Sequence, residues 1–435
     1  MDRLSAIKRG PSPIFSETTK MTTIQILALL LLAFVFCLSL WRHINLGLAM
    51  LPAAFVLAQA THIPSKILYA GYPTELTMLV LGVMFLWHHV QESGLAEMIV
   101  KNAVKVACGR AYLLPWVMFG LTAMISGIGA LPAAAFAITI PVSLEIARRK
   151  KIRPSLMGII CIQGGIVGGF SPFNPWAALV STLAKNEHIN LLSSQFFLFN
   201  AALGIAVSLA AFFAFGGIEL LNRSHPSQSS IEECIQSSNK ISSISIYQWA
   251  SAASIMAFIV MVLMKFDIGL TGFAFGFVLM VAFPEKTKNI IQKLPWSIVI
   301  MIAGVLMYVH LLDVLGVLKA IGDLLISMDS PMLVRLGLAF LGTIIANFES
   351  SSVAVLGLVI PIAIKSIPSD LSTIAATLQL AILSGIIVVM CSSPFHIGGA
   401  LVLAESRNDE RVYKDLLIWV LCLAMTLPFL AVLLM

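Results

Sequence analysis

Shifted against itself by 222 residues, the sequence meets its own pattern at two separated places. Gly82, Val83, His88 and Gly94 fall on Gly304, Val305, His310 and Gly316. Ser171-Pro172-Phe173 and Ala178-Leu179-Val180 fall on Ser393-Pro394-Phe395 and Ala400-Leu401-Val402. One constant offset at both places means that a single structural unit is used twice. Such a chain has few options: it is a tandem of two domains, or two halves related by a pseudo-two-fold axis that build one body.

Hydropathy decides between them. The chain is 59% hydrophobic and 11% charged, against roughly 25% charged in soluble proteins, which excludes a water-soluble enzyme. Ten apolar runs lie near residues 22 to 41, 44 to 60, 74 to 91, 155 to 184, 194 to 219, 246 to 264, 268 to 284, 295 to 312, 371 to 404 and 416 to 434. Each is long enough for a helix that satisfies its own backbone while crossing lipid. Two further stretches do not fit. About 37 residues separate Arg110 from Arg148, too many for one crossing and too few for two at about 1.5 Å per residue. That segment is expected to enter and turn back, as is its counterpart from Arg335 to Lys365. Each half then has five crossings, an odd number, so the second lies upside down relative to the first. The expected fold class is an all-α polytopic membrane protein with about ten transmembrane helices plus two re-entrant hairpins in two inverted repeats.

Charge gives the orientation. Lys101, Lys105 and Arg110 precede the first hairpin and Arg148, Arg149, Lys150, Lys151 and Arg153 follow it, which places both ends on the cytoplasmic side. Arg42, Arg223, Lys240, Lys286, Lys288, Lys293, Arg407, Arg411 and Lys414 follow on that side, 17 Lys and Arg inside against 10 outside. Four of the outside charges, Arg3, Lys8, Arg9 and Lys20, sit in a tail that runs against the rule, unless Met21 is the natural start. Met21 to Trp41 is too long for a signal-peptide core and reads as a retained span. The expected boundaries are a tail at 1–21, a first repeat at 22–221 (hairpin 111–148, broken helix 155–184), a cytoplasmic linker at 222–245, and a second repeat at 246–435 (hairpin 335–366, broken helix 371–404). Net charge of +6 belongs to these loops and not to a nucleic-acid surface. Six scattered cysteines imply neither disulfides nor a metal centre. Leu95, Ile99, Ala103 and Val106 form an apolar stripe opposite Glu97, Lys101 and Lys105, expected as an interfacial helix, with Lys319 and Asp323 as the second-half equivalents of Glu97 and Lys101.

Both long runs break in the middle. Gly164-Gly165, Gly168-Gly169 and Ser171-Pro172-Phe173-Asn174-Pro175 are expected to interrupt the first, and Ser392-Ser393-Pro394-Phe395-His396-Ile397-Gly398-Gly399 the second, because Pro lacks an amide hydrogen and clashes with the preceding turn. Unwound backbone at bilayer depth is tolerated where it lines a cavity, and it offers carbonyls to a cation and helix N-termini to an anion. The hairpin tips are expected to meet these breaks. The first tip, Ser126-Gly127-Ile128-Gly129-Ala130, is small and neutral; the second, Asn347-Phe348-Glu349-Ser350-Ser351-Ser352, carries a carboxylate inside an apolar segment. Such a group costs roughly 3 kcal/mol on insertion scales, which marks Glu349 as a proton carrier or cation ligand. His396 stands where Asn174 stands in the other half and, if it approaches Glu349, would exchange a proton with it. Gln163 is expected to bond to a neighbouring helix, and His88 and His310 to pack at the interface.

At Gly169-Phe170-Ser171-Pro172-Phe173-Asn174, and at Ser393-Pro394-Phe395 followed by Gly399-Ala400-Leu401-Val402, the chain resembles the ion transporter superfamily that includes the divalent-anion/sodium symporters, and within it the MatC-type malonate and dicarboxylate carriers. The resemblance implies substrate carboxylates and sodium ions at the tips and breaks, hence at Ser126, Ser171, Asn174, Asn347, Ser350 and Ser393; His396 joins the substrate set by its place in the break, and with Glu349 it departs from the family pattern as an added ionisable group. Ion coupling would fall to Glu349, His396, Ser171 and Asn174. It also implies a homodimer in the inner membrane, moving as an elevator, with Na+ or H+ as coupling ion and no other cofactor. The Ser-Asn-Thr triplets of the sodium symporters are missing from both tips. The expected function is therefore gradient-driven transport of a small carboxylate, foremost a dicarboxylate. A cation/proton antiporter would use Glu349 as well. An intramembrane enzyme lacks its motifs, with no His-Glu-x-x-His and no Gly-x-Ser-x-Gly. A passive channel has no need of two facing broken helices.

Overall fold

The computed structural model describes residues 21–42, 44–96, 98–99, 111–222, 245–326, 330–349, 351–367, 371–407 and 409–434. The tail up to Lys20, most of the interfacial stripe including Lys101, Ala103, Lys105 and Val106, the linker at 223–244 and Ser350 lie outside the described residues.

The described secondary structure is helical. The first half runs through α1 (Thr23–Arg42), α2 (Leu46–Ala60), the short α3 (Ser65–Ala70), α4 (Thr74–Glu92), α5 (Leu114–Gly127), α6 (Pro132–Lys150), α7 (Pro154–Gly169), α8 (Pro175–Asn186), α9 (Ser193–Ala214) and α10 (Gly217–Asn222). The second runs through α11 (Ile246–Leu263), α12 (Ile268–Ala282), α13 (Trp296–Val314), α14 (Val317–Ile326), α15 (Pro331–Phe348), α16 (Ser352–Lys365), α17 (Thr373–Val389), α18 (Ile397–Glu405) and α19 (Glu410–Leu434). Among the described residues five helical stretches are long and apolar enough to cross a membrane, and several other apolar helices are shorter. The sequence expectation of about ten spans counts uncharged runs; α2 and α12 are shorter than their runs, and the long runs at 155–184 and 371–404 are divided by their breaks. Large side chains such as Phe34, Trp249, Val281 and Met425 are exposed on the outside of the bundle, an apolar surface suited to lipid.

The repeat appears in how the halves interlock. Gly82 on α4 lies so close to α12 that an added Cβ would sit 1.9 Å from the Gly269 carbonyl oxygen. At the repeat-related crossing, a Cβ on Gly304 of α13 would sit 1.9 Å from the Gly47 oxygen of α2. Gly47 and Gly269 are themselves 222 residues apart. Each half thus threads its third span against the second span of the other, and neither half packs without its twin. The caps follow the same relation: Asn45 caps α2 through the Leu48 amide (3.1 Å) and Asp267 caps α12 through the Leu270 amide (2.7 Å). Backbones this close leave no room for a methyl group. Gly304→Ala is expected to lower stability by about 1–3 kcal/mol, whereas Gly120→Ala, with nothing within 4 Å, is expected to leave it unchanged or raise it. Thermal unfolding of the two variants in detergent checks the contrast.

Helix α1 packs on α2 and α11 on α12, beside the interlocked set, while the helices around the two tips form a second body. Each of the two stretches expected to turn back is a pair of packed helices joined by a short tip, α5–α6 and α15–α16. The arms hold 14, 19, 18 and 14 residues, lengths of roughly 20–30 Å at about 1.5 Å per residue. They surround the two interrupted helices α7–α8 and α17–α18. Again the halves exchange partners: α8 packs on α16 and α18 packs on α6. Polar contacts join ends that the charge pattern puts on one side: Ser155 bonds Asp415, Lys293 pairs with Glu92, and at the other end Lys365 Nζ bonds Glu187 Oε2 (2.6 Å) and lies 3.5 Å from Asp313 Oδ1.

One reading of the breaks is corrected. Gly164, Gly165 and Gly168 do not interrupt α7, which continues to Gly169; the break is confined to residues 170–174. Gly164 and Gly168, one turn apart, let α5 approach, with added Cβ atoms 2.2 Å from the Phe119 oxygen and 2.3 Å from the Ala123 oxygen. They are packing residues that bring the first hairpin against the interrupted helix.

Candidate functional site

The first tip and the first break are joined by direct hydrogen bonds. Asn174 caps α8 by accepting from the Trp176 amide at Oδ1 (3.1 Å), with Pro175 at the first helical position where no amide is required. That bond fixes which end of the side-chain amide is which. The Nδ2 group therefore faces the tip and donates to the carbonyl oxygens of Ser126 (2.9 Å) and Ala130 (2.8 Å). Ser171 Oγ donates to the Gly127 oxygen (2.5 Å) and accepts from the Phe173 amide (3.3 Å). Asn174 and Ser126 are completely buried and Ser171 nearly so. Gly129, with φ of +121°, supplies a backbone conformation in the tip that L side chains rarely adopt.

The second tip and break repeat this arrangement with different chemistry. The Ser393 hydroxyl accepts from the Phe395 amide (3.4 Å), as Ser171 does from Phe173. His396 takes the cap position of α18 without capping it. Its Nε2 instead lies 3.3 Å from Ser352 Oγ and 3.7 Å from Cys391 Sγ, and its buried Nδ1 has no hydrogen-bond partner. Ser352 is the repeat equivalent of Ala130, so the same two positions meet in both halves. Asn347 reaches the break from the hairpin, its Nδ2 donating to the Thr343 oxygen (2.9 Å) and contacting Met390 Sδ (3.2 Å). Glu349, the equivalent of Gly127, is 8% exposed and accepts from the Ser351 amide at Oε1 (3.1 Å).

The structure therefore brings Ser126, Ser171 and Asn174 together in one cluster, and Asn347, Ser393 and His396 around the second break, with Glu349 on the second tip. Ser350 lies outside the described residues. No bond joins Glu349 to His396 among the described residues; their side chains are held by Ser351 on one side and by Ser352 and Cys391 on the other. Gln163 also departs from expectation, since both of its side-chain polar atoms are buried without a partner. It follows Ile162, whose side chain lies against Gly398 at the second break. Ser352 and Cys391 were missed by the sequence reading, although Ser352 was open to it through the 222-residue offset from Ala130. A buried His89, whose Nδ1 lies 3.1 Å from the Tyr247 hydroxyl, was missed as well and belongs to the interlocked scaffold. His310 packs against Gly71 there, and His88 Nε2 is buried without a partner.

Among the described residues no three His, Cys, Asp or Glu side chains cluster as a metal site. A pocket of about 200 Å³ opens between the scaffold and α8, lined in part by Glu75, Asp267, Ala178 and Thr182.

Chemically, each tip-and-break pair presents hydroxyls, carbonyls and a helix N-terminus inside an apolar body, with one carboxylate and one imidazole added in the second pair. That set suits an anion carrying several carboxylates together with a compensating cation. The folding pattern resembles a solved structure, the Alcanivorax borkumensis YdaH transporter, at 12% identity with a TM-score of 0.56, covering 95% of this chain and 98% of that one; the likeness is one of fold. No curated protein sequence matches. The sequence profile of the CitMHS family, described as citrate transporter, matches residues 31–387. The chain belongs to the citrate transporter family, and it is a membrane transport protein and not an enzyme.

Proposed function

We propose that the protein is a secondary active transporter of a small carboxylate, a dicarboxylate or citrate, coupled to a sodium or proton gradient. The observation that carries this reading is the pair of repeat-related junctions: Asn174 and Ser171 on the first tip, His396 and Ser352 at the second, each at the N-terminus of a half-helix. In the proposed site the substrate carboxylates lie between the two breaks, near Ser171 and Ser393. Ser126, Asn174, Asn347, Ser350 and His396 shape the tips, and Glu349 faces the coupling ion. The α7–α8 break and the start of α18 lie in one packed body, since Ile162 of α7 touches Gly398. Ile162 stands nine residues before Ser171, roughly 13 Å along a helix, a span that suits a molecule with carboxylates at both ends.

The motion follows from the two bodies. The interlocked α2, α4, α12 and α13 are the fixed scaffold, and the hairpins with the interrupted helices move against it as an elevator, re-entering from opposite faces of the inner membrane. Lys365 and Asp313 meet across that boundary. The functional unit is a homodimer, as the family resemblance implies.

Purified protein in liposomes tests the reading. Labelled malonate, succinate and citrate are offered under imposed sodium or proton gradients. Accumulation of at least one of them above its outside concentration is expected. Cation-driven proton movement with no carboxylate uptake would favour the antiporter instead.

A further inference from the structure

The two halves treat their tips differently, and the difference bears on where a coupling ion binds. This inference rests on the transport reading above. In the first half three carbonyl oxygens of the tip are already engaged by side chains of the break. Ser126 and Ala130 accept from Asn174 Nδ2, and Gly127 accepts from Ser171 Oγ. A cation site is built from such carbonyls converging on a positive charge. Here the two polarised hydrogens of an amide converge with them, and the Trp176 amide holds Oδ1 so that the group cannot turn over. Asn174 is completely buried, so water does not compete for these bonds. A sodium ion does not fit among donors that point the same way as it would.

In the second half the repeat-equivalent positions carry what the first lacks. Glu349 replaces Gly127 and brings a carboxylate with one described amide donor, from Ser351. His396 replaces Asn174, and its buried Nδ1 has no partner among the described residues. The first junction is neutral and saturated; the second holds an acidic group and a free nitrogen.

We propose that the Asn174 side-chain amide takes the place of a coupling cation in the first half, so that the coupling cation, sodium or proton, loads only in the second. Asn174 is then a positioning residue that keeps the first hairpin closed on its break in every loading state.

The test counts ions. Purified protein in liposomes is given labelled sodium and labelled carboxylate, with proton flux followed at a pH where the carboxylate is fully ionised. The expected ratio is one coupling cation for each substrate molecule. Asn174→Asp puts a carboxylate where the amide was, facing the Ser126 and Ala130 oxygens, and is expected to raise the ratio to two or to make transport depend on a second cation. A wild-type ratio of two or more would overturn the inference, whether or not the Asp variant folds, as would an Asp variant that transports with an unchanged ratio. Failure of the transport reading looks different: no carboxylate accumulates under any gradient.

Discussion

Glu349→Gln protein is expected to exchange substrate across the membrane and to stop concentrating it. The side chain lies in the turn between α15 and α16 and is 8% exposed. A charged carboxylate in such surroundings is costly until a proton or a cation neutralises it. Its charge state is therefore tied to the loading of the second break. Gln keeps the size and can still accept from the Ser351 amide, but it has no charge to neutralise. Binding and movement continue while the energy of the gradient is no longer transmitted, and labelled substrate reaches equal concentrations on the two sides. Accumulation equal to the parent's, with the same sodium and pH dependence, would make Glu349 a structural residue.

Ser393→Ala and Asn174→Ala are expected to fail in different ways. The Ser393 hydroxyl accepts from Phe395 and has no acceptor for its own hydrogen among the described residues. Its loss is expected to weaken carboxylate binding by about 1–3 kcal/mol, roughly 5- to 150-fold, with little change in folding. The Asn174 side chain makes four bonds within the protein. Its removal takes one donor each from the Ser126 and Ala130 oxygens, which keep the Gly129 amide and the Ser126 hydroxyl, at about 0.5–1.5 kcal/mol for each bond lost. Lower thermal stability is expected together with lost transport. Binding isotherms and thermal unfolding of both variants separate the cases. Equal effects on stability would show that the two breaks are not differentiated as described.

The repeat offset made much of this arrangement readable before any coordinates. Ser171 and Ser393 were found by it, and the Pro residues beside them located the breaks, because a Pro has the same consequence in any helix interior. The turn inside each of the two stretches was readable from length, since both are divided into two helices joined by a short tip. Glycines were not readable in this way. Gly164 and Gly168 look like a helix break in one dimension, and only the closeness of Phe119 and Ala123 shows that they admit a neighbour. Gly47 and Gly269 carried the repeat too, but a single small residue gives no signal until its partner helix is known. The relation of Glu349 to His396, expected only if the two approach each other, was not readable for a related reason. Repeat equivalence states which positions correspond, whereas rotamers and competing partners such as Ser352 and Cys391 decide which atoms meet.

The location of a bound carboxylate is the measurement that bears most directly on the central claim. A density map of the protein in lipid nanodiscs, prepared with a saturating transported carboxylate, is expected to place it between the two breaks, within hydrogen-bonding distance of Ser393. Density instead in the pocket beside Glu75, Asp267 and Thr182, with the tips and breaks unoccupied, would contradict the account.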